Sequence, residues 1–391
     1  MIETPYFLIS KSKLDNNVDA FASALKTIWP NSIFGYSVKT NSLPWILKYL
    51  KQLNLFAEVV SDEEYQLALK CGYDDSQIIF NGPIKGERIF ERACKNGAYI
   101  NLDSKNDLQY LKKYVNDNSN IGVRININPN IFDINDIGYE EDGFRFGFSD
   151  ESGELELVLA DIKELYSKPI GLHLHCNSVT RSPNVYIAVA KYASKIISKY
   201  DLDISYIDIG GGFFGGVPGK TTPEEYISSI KNIFEKVIDV SEVKLIIEPG
   251  SAVIGSCVDL VTSVLDVKST ISSRIVTTDG SRIHIDPLWI KSRYNYEICK
   301  NDKDDSHLRK QIICGYTCMD HDRLMILNDE VELCVGDKII YHMVGAYSMT
   351  FGGMFIKYYP NVYVKDDEEI ELVRNSVNVN DYYKVHNIKK R

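Results

Sequence analysis

The sequence predicts an α/β architecture in two parts. A (β/α)8 TIM barrel is expected over residues 28–257, and an antiparallel β domain over residues 258–391 that also takes in residues 1–27. Three observations predict it. Eight short, near-continuous apolar runs recur, each closing on polar or glycine residues, as a parallel sheet covered on both faces requires. Helical patterns fill most gaps between them, and eight strand–helix alternations over roughly 230 residues match the length of a barrel. Beyond about residue 258 the pattern changes to alternating runs separated by turn residues, the mark of an antiparallel sheet. A chain of 391 residues is long enough for two cores of this kind.

The first run, residues 33–38, delivers Lys39 at its end. The next are residues 56–60 before Ser61, 77–80 before Asn81, 98–102 before Asp103 and 121–127 before Asn128. Residues 170–174 then precede His175, 206–209 precede Gly210, and 244–247 precede Glu248. Helical patterns cover residues 62–71, 86–96, 155–165, 184–199 and 223–238. An opening strand at residues 6–9 joins the β domain, and a helix over 14–27 leads into the barrel. The β domain reads as runs at residues 258–267, 274–278, 311–314, 338–343 and 361–364, with no clear helix among them. In a barrel of this kind chemistry gathers where strands end.

A formal net charge of -10 argues against nucleic acid or an anionic membrane as partner. No apolar stretch reaches the length of a membrane span, and the first five residues lack the features of a secretion signal, so a cytoplasmic location is expected. Eight cysteines lie scattered without CxxC pairs, which predicts reduced thiols and neither a disulfide framework nor a zinc site. Seven histidines show no metal-ligand spacing, and no metal is expected. His173 and His175 are expected to face opposite ways along one strand, leaving one of them to enter a shared pocket. The acidic stretch 131–143 reads as a surface loop or as a lid over the site, and residues 300–310 as a solvated, charge-dense segment.

A lysine at a strand tip is what an enzyme needs to hold a carbonyl cofactor as a Schiff base. Gly210, Gly211 and Gly212 remove every Cβ from the turn after the seventh strand, so backbone N–H groups can converge on an anion. Loops after the seventh and eighth strands of such barrels commonly hold phosphate. Glu248, at the end of the eighth, is desolvated if it lies in the barrel mouth and then wants a cationic partner. A protonated pyridine nitrogen is such a partner. Lysine for an aldehyde, glycines for a phosphate and a carboxylate for a ring nitrogen describe a site for pyridoxal 5′-phosphate (PLP), with His175 flat against the ring.

Six motifs stand in order along the chain. They are Tyr36-Ser37-Val38-Lys39-Thr40-Asn41, His173-Leu174-His175-Cys176-Asn177-Ser178, Asp208-Ile209-Gly210-Gly211-Gly212-Phe213, Glu248-Pro249-Gly250, Cys318 with Asp322, and Gly345-Ala346-Tyr347. On these motifs the chain resembles the alanine-racemase-like, fold type III PLP enzymes, and within them the diaminopimelate, ornithine and arginine decarboxylases. The resemblance implies an alanine-racemase-like fold and a homodimer with shared active sites, the Cys318 region of one protomer completing the site of the other. It implies cofactor contacts from Lys39, Glu58, Arg124, His175, Ser178, Gly210, Gly211, Gly212, Glu248, Gly250 and Tyr347. Arg124 occupies the place of the family's strand-five arginine. The implied reaction is decarboxylation of an amino acid, with Lys39, His175, Glu248 and Cys318 as catalytic residues. Glu248 keeps the ring nitrogen protonated so that the ring accepts electrons. Cys318, or a water it positions, returns a proton as general acid.

Four positions depart from the family pattern. Ser251 stands where Glu-Pro-Gly-Arg would put arginine, and Met319 where an acid would grip a distal amino group. Asn177 replaces the glycine before Ser178, and Glu58 replaces a strand-two aspartate. Met319, Asp320 and Asp322 are the candidate substrate contacts, Asp320 lying one residue from the place of the missing acid. A nearly intact cofactor end beside an altered substrate end predicts a PLP reaction on something other than free ornithine or diaminopimelate. A basic amino acid, a diaminopimelate-like diamino acid and a larger condensed amino acid stay open as substrates. The alternatives are a racemase of the same fold, a non-catalytic homologue that binds a protein partner, and a PLP carrier. Glu248 argues against the first, Lys39 with the glycines and Tyr347 against the second, and the C-terminal β domain against the third.

Overall fold

Short runs of Ile, Val, Phe and Leu, too brief for helices and apolar on both faces, form the parallel strands of a closed barrel. The computed structural model describes residues 2–138, 143–301 and 306–387. The barrel strands are Ser32–Ser37, Phe56–Val59, Ile78–Phe80, Tyr99–Leu102, Asn120–Asn126, Ile170–His173, Ile204–Asp208 and Lys244–Ile247. Each pairs in parallel with the next in chain order. The eighth returns to the first through Ile247↔Phe34, which closes the sheet. Because the pairing is parallel throughout, every strand ends at the same mouth.

Helices Pro44–Gln52, Asp62–Lys70, Glu87–Asn96, Lys105–Tyr114, Glu154–Leu165, Pro183–Tyr200 and Pro223–Phe234 fill the gaps. Their starts are written locally: Ser61 accepts from the Glu64 N–H, Ser104 from Asp107, and Thr222 forms a capping box with Glu225. Two of these helices, Pro44–Gln52 and Lys105–Tyr114, were not anticipated from periodicity, although Pro44 and Ser104 mark their starts. A two-residue strand, Phe148–Ser149, adds to the fifth barrel strand outside the closed ring.

Ile33, Ile79, Tyr206 and Ile246 form a fully or nearly buried cluster, with Phe56 and Tyr99 packed against it. Two glycines make room for Tyr206. A Cβ at Gly171 would lie 2.0 Å from Tyr206 Cζ, and one at Gly122 would lie 2.3 Å from its hydroxyl. That hydroxyl donates to Asn101 Oδ1 at 2.8 Å, linking the apolar cluster to a polar layer at the strand ends.

The chain divides into two units, Asn16–Val253 and Met1–Asp15 with Ile254–Arg391. The second is built on a nine-stranded, mostly antiparallel sheet. Its strand Tyr6–Ser10 lies between Val258–Ser269 (antiparallel) and Asn361–Asp366 (parallel). Arg274–Thr278 and Gln311–Cys314 are also parallel neighbours. Contrary to expectation this part holds helices, Arg282–Ile285 and Val379–His386. Four residues are too few to show a helical period, and the second helix buries none of its residues, so no apolar stripe announces it. Strand Glu369–Arg374 escaped notice for the same reason, being exposed along most of its length. Residues 139–142 of the acidic stretch and residues 302–305 of the charge-dense segment lie outside the described residues. No described helix is long and apolar enough to cross a membrane.

The fit around Tyr206 is testable. Gly171→Ala is expected to lower stability by about 1–3 kcal/mol through overpacking, whereas Tyr206→Phe loses about 1 kcal/mol with its hydrogen bond. Urea unfolding of the two variants measures the difference, and equal, small effects would show that the glycine space is not required.

Candidate active site

Lys39 lies one turn past the first barrel strand, on the short 3-10 helix Val38–Thr40. Val38 and Thr40 on either side of it are buried, and the lysine side chain is the 40 % exposed member of the turn. Close approach of Gly250 fixes this turn: a Cβ there would fall 1.9 Å from Thr40 Oγ1. Lys39 Nζ donates to Glu58 Oε2 at 2.8 Å.

Behind the lysine runs a layer of buried polar groups, one from nearly every strand end. Ser37 Oγ donates to Glu58 Oε2 at 2.6 Å. Asn81 Nδ2 bridges Glu58 Oε1 at 3.1 Å and Glu248 Oε1 at 2.7 Å. Asn101 Nδ2 donates to Asn81 Oδ1 at 2.8 Å and to Asp208 Oδ2 at 3.1 Å. Burial opposes the charged form of Glu58, but Lys39 and the bonds from Ser37 and Asn81 outweigh it and hold its carboxyl below the usual value. Glu248 is the opposite case. Burial first, then the charges of Asp208 and Glu58, pushes its carboxyl well above the usual value. Burial likewise raises Asp208. The mouth thus holds more acid than its lysine can neutralise.

The expectation that His173 and His175 face opposite ways is overturned. Residues two apart on a strand share a face, and both rings come to the barrel mouth. A nitrogen of His173 lies within 4.8 Å of carboxylate oxygens of Asp208 and Glu248, and among the described residues neither of its ring nitrogens has a hydrogen-bond partner. Burial, then the Arg124 charge, pushes its imidazole well below the usual value, which favours the neutral ring. These three side chains are spaced as a cation site could be, a grouping that histidine spacing in the sequence did not show. His175 Nδ1 accepts from the Gly211 N–H at 3.3 Å, and burial with the nearby Arg124 and Lys39 charges pushes its imidazole down to about 3.

The glycine turn is threaded through a narrow space. A Cβ at Gly210 would meet His175 Nδ1 at 2.5 Å, and one at Gly211 would meet the Glu248 carbonyl oxygen at 2.4 Å. Gly210 and Gly212 have φ of 65° and 89°, which glycine adopts without strain. Tyr186 braces the turn, its hydroxyl donating to the Gly211 carbonyl at 3.1 Å while its ring stacks on Phe213 at 4.6 Å.

Arg124 is committed to Asp103, at 3.0 Å, and lies over the Phe146 ring at 4.5 Å. Ser178 Oγ donates to the Asp136 carbonyl at 3.1 Å and accepts from the Arg181 N–H at 2.9 Å. Asp136 belongs to the acidic stretch, whose described part is thereby tied to the segment after the sixth strand through an Ile137↔Ser178 bridge. Arg181 itself reaches Ser251 Oγ at 3.2 Å.

The remaining sequence-predicted residues belong to the other unit. Cys318 and Asp320 are exposed on the turn before strand Arg323–Leu327. Met319 lines a hollow of about 410 Å³ with Ile283, Trp289, His321 and Phe355. Asp322 is buried, accepting from Ser281 Oγ at 2.9 Å, the Arg282 N–H at 3.1 Å and Thr317 Oγ1 at 2.6 Å, so its carboxylate is spent bracing this turn. Tyr347 is 39 % exposed, with a left-handed φ of 54°. Sequence reasoning did not single out Ser37, Asn81, Asn101, Tyr186 or Arg181. The available signal was an asparagine within or just after two otherwise apolar strands.

These groups fit PLP. They offer an amine at the mouth, a glycine turn that any Cβ would fill, and a buried carboxyl, raised by burial, that a ring N–H cation would satisfy. The sequence model of pyridoxal-dependent decarboxylases, pyridoxal binding domain, matches residues 12–255. The chain belongs to this family. It is a PLP-dependent decarboxylase of the diaminopimelate, ornithine and arginine group, and its fold is the alanine-racemase-like one. A probable chloroplastic diaminopimelate decarboxylase of Oryza sativa subsp. japonica is 28% identical over 403 residues, 97% of this chain and 79% of that protein. An L-glutamyl-(BtrI acyl-carrier protein) decarboxylase of Niallia circulans is 26% identical over 409 residues, 97% of this chain and 92% of that one. The solved diaminopimelate decarboxylase of M. jannaschi superposes with a TM-score of 0.85 at 20% identity, covering 100% of this chain and 93% of that one.

The acid surplus has a pH signature in the PLP-free protein. Glu248 and Asp208 have raised values when folded, so above their usual values of 4.5 and 3.8 these two groups bind more protons in the folded chain than in the unfolded one. Their contribution to stability is therefore expected to fall as pH rises from there through the folded values, so the parent is expected to lose stability relative to Glu248→Gln as pH rises. Glu58 acts in reverse, its contribution present above 4.5 and lost as pH falls through its lowered folded value. Urea unfolding from about pH 5 to pH 8 reads the slope. A Glu248→Gln slope equal to that of the parent would show that Glu248 ionises normally.

Proposed function

We propose that this decarboxylase acts on an amino acid whose distal end is neutral, apolar or conjugated, and not a free ammonium group. One observation carries the reading: Met319 follows Cys318 and lines a mostly apolar hollow with Ile283, Trp289, His321 and Phe355, among which there is no carboxylate. Of the two nearby acids, Asp322 is used inside its own turn and Asp320 is exposed to solvent. A desolvated ammonium group without a buried carboxylate partner is costly, so such a hollow disfavours ornithine, lysine and diaminopimelate. The Niallia circulans relative lends support, since by its name it acts on an L-glutamyl group borne on an acyl-carrier protein.

When bound, PLP accepts the electron pair of the bond to the departing carboxylate. Lys39 is assigned as the amine that holds the cofactor, with Glu58 at 2.8 Å steering its Nζ. Glu248, held toward the site by Asn81, is assigned to the ring nitrogen, where a proton shared with the ring relieves its buried acid pair. His175, neutral at any working pH, is the stacking wall and adds no charge beside the ring. Gly210, Gly211, Gly212, Gly250, Ser178 and Tyr347 are assigned to the phosphate. Arg124, anchored by Asp103, shapes the floor near His175 without contributing a free charge. Cys318 is the proton donor to the substrate carbon, the turn that bears it being contributed across a homodimer.

CO₂ release by the PLP-loaded protein tests the reading against lysine, ornithine, arginine, meso-diaminopimelate, apolar amino acids and amino acids conjugated at the distal end. Release from the last two groups is expected. Release from meso-diaminopimelate alone would sink the substrate assignment while leaving the family intact. Met319→Glu is expected to raise kcat/KM for diamino substrates by about tenfold or more, the worth of one hydrogen bond to a charged group. For Cys318→Ala the expected loss in kcat is about 10²–10⁴-fold with the bound-cofactor absorbance retained, and an unchanged kcat would remove the thiol from the proton-donor role.

A further inference from the structure

At the phosphate end of the site the family motif Glu-Pro-Gly-Arg has lost its cation, because Ser251 stands in the arginine's place. The fold brings a different cation to that spot. Arg181 lies 70 residues earlier in the chain, yet its Nη1 reaches Ser251 Oγ at 3.2 Å. The same nitrogen donates to the carbonyl of Phe213, the residue directly after the three glycines, at 3.4 Å. The guanidinium therefore sits where the glycine turn meets the end of the Glu248-Pro249-Gly250 segment.

The arginine is held from several sides. Its backbone is left-handed, with φ of 52°, an uncommon conformation for a residue with a long side chain. Its carbonyl accepts from Tyr226 OH at 2.6 Å, and its N–H donates to Ser178 Oγ at 2.9 Å. Its guanidinium lies over the Phe214 ring at 5.4 Å. Tyr226 also packs edge-on against Tyr186 and Phe213, which brace the glycine turn. One aromatic cluster thus fixes both the turn and the arginine. The side chain bonds to a hydroxyl and a carbonyl, neither of which neutralises a guanidinium. A guanidinium carries five N–H donors, so these contacts leave several for an anion.

We propose that Arg181 replaces the arginine missing at position 251 and is the cation that meets the cofactor phosphate. Serine at 251 is then part of the solution. It is small enough to admit a guanidinium from the neighbouring segment and polar enough to orient it. The proposal rests on the reading of Gly210, Gly211 and Gly212 as the phosphate turn, and the test separates the two.

The test uses the protein stripped of its cofactor and compares rebinding of PLP with binding of pyridoxal, which lacks the phosphate. The variants are Arg181→Ala, Arg181→Lys, the double variant Arg181→Ala/Ser251→Arg, and Gly211→Ala. Arg181→Ala is expected to weaken PLP binding by about 10- to 100-fold, the size of a charge-assisted contact, and to leave pyridoxal binding unchanged. Arg181→Lys should recover part of the loss. Ser251→Arg in the Arg181→Ala background should recover most of it, because the charge returns by the family's route. Equal losses for PLP and pyridoxal would overturn the proposal and reduce Arg181 to a support of the fold. Unchanged PLP binding with a raised substrate KM would overturn it in favour of a substrate-carboxylate contact. Gly211→Ala reports on the phosphate turn together with the backbone of Glu248, which its Cβ would meet. If it weakens PLP selectively while Arg181→Ala does not, the turn stands and only the arginine assignment fails. If it leaves PLP binding unchanged, the phosphate-turn reading itself fails.

Discussion

Three carboxyl groups, those of Glu58, Asp208 and Glu248, are buried within one polar layer at the mouth of the barrel. Lys39 neutralises Glu58, and Asn81 and Asn101 distribute hydrogen bonds among all three. That arrangement is unfavourable in isolation, because like charges taken out of water raise each other's proton affinity. Several features of the barrel serve it. Parallel closure brings all strand ends to one place, Tyr206 ties the layer to the apolar cluster beneath it, and the glycines at 122 and 171 let that tyrosine in. A cationic ring nitrogen would answer the surplus acid, which is why the function proposed above sets the cofactor ring against this electrostatic imbalance.

The glycine turn makes the complementary point with sterics. Its residues pass between the His175 ring and the backbone at Glu248, and a single methyl group would close the passage. The acid layer and the anion turn lie side by side, joined where the Glu248 N–H donates to the Gly210 carbonyl at 2.7 Å. In the function proposed above, opposite ends of one ligand, a cationic ring and an anionic phosphate, are thereby addressed by neighbouring pieces of backbone. Of the positions that depart from the family pattern, Glu58 lies within this centre and Ser251 at its edge, where Arg181 reaches it.

Much of this was legible in the chain. The eight apolar runs each became a barrel strand within a residue or two, since strands buried on both faces must be continuously apolar. Lys39, the three glycines and Glu248 stand out because each is a residue type poorly suited to an ordinary strand end. The polar layer behind them was less visible, because a single asparagine within or just after an apolar strand carries no periodic signal. His173 and His175 were misread through the geometry of the strand, and the helix Val379–His386 was missed because it buries no apolar face.

By itself the sequence determined the order of the elements, the family motifs and the chemistry at each strand end, because these follow from local composition and period-two or helical patterning. Only the tertiary structure decided which of those ends meet. Closure of the barrel placed Glu248 against Asp208 and Asn81, and turned His173 toward them. It also carried Arg181 across 70 residues to the serine that stands in an arginine's place. Such pairings depend on how many strands close the ring and where each one starts, a long-range constraint that no short window of sequence contains.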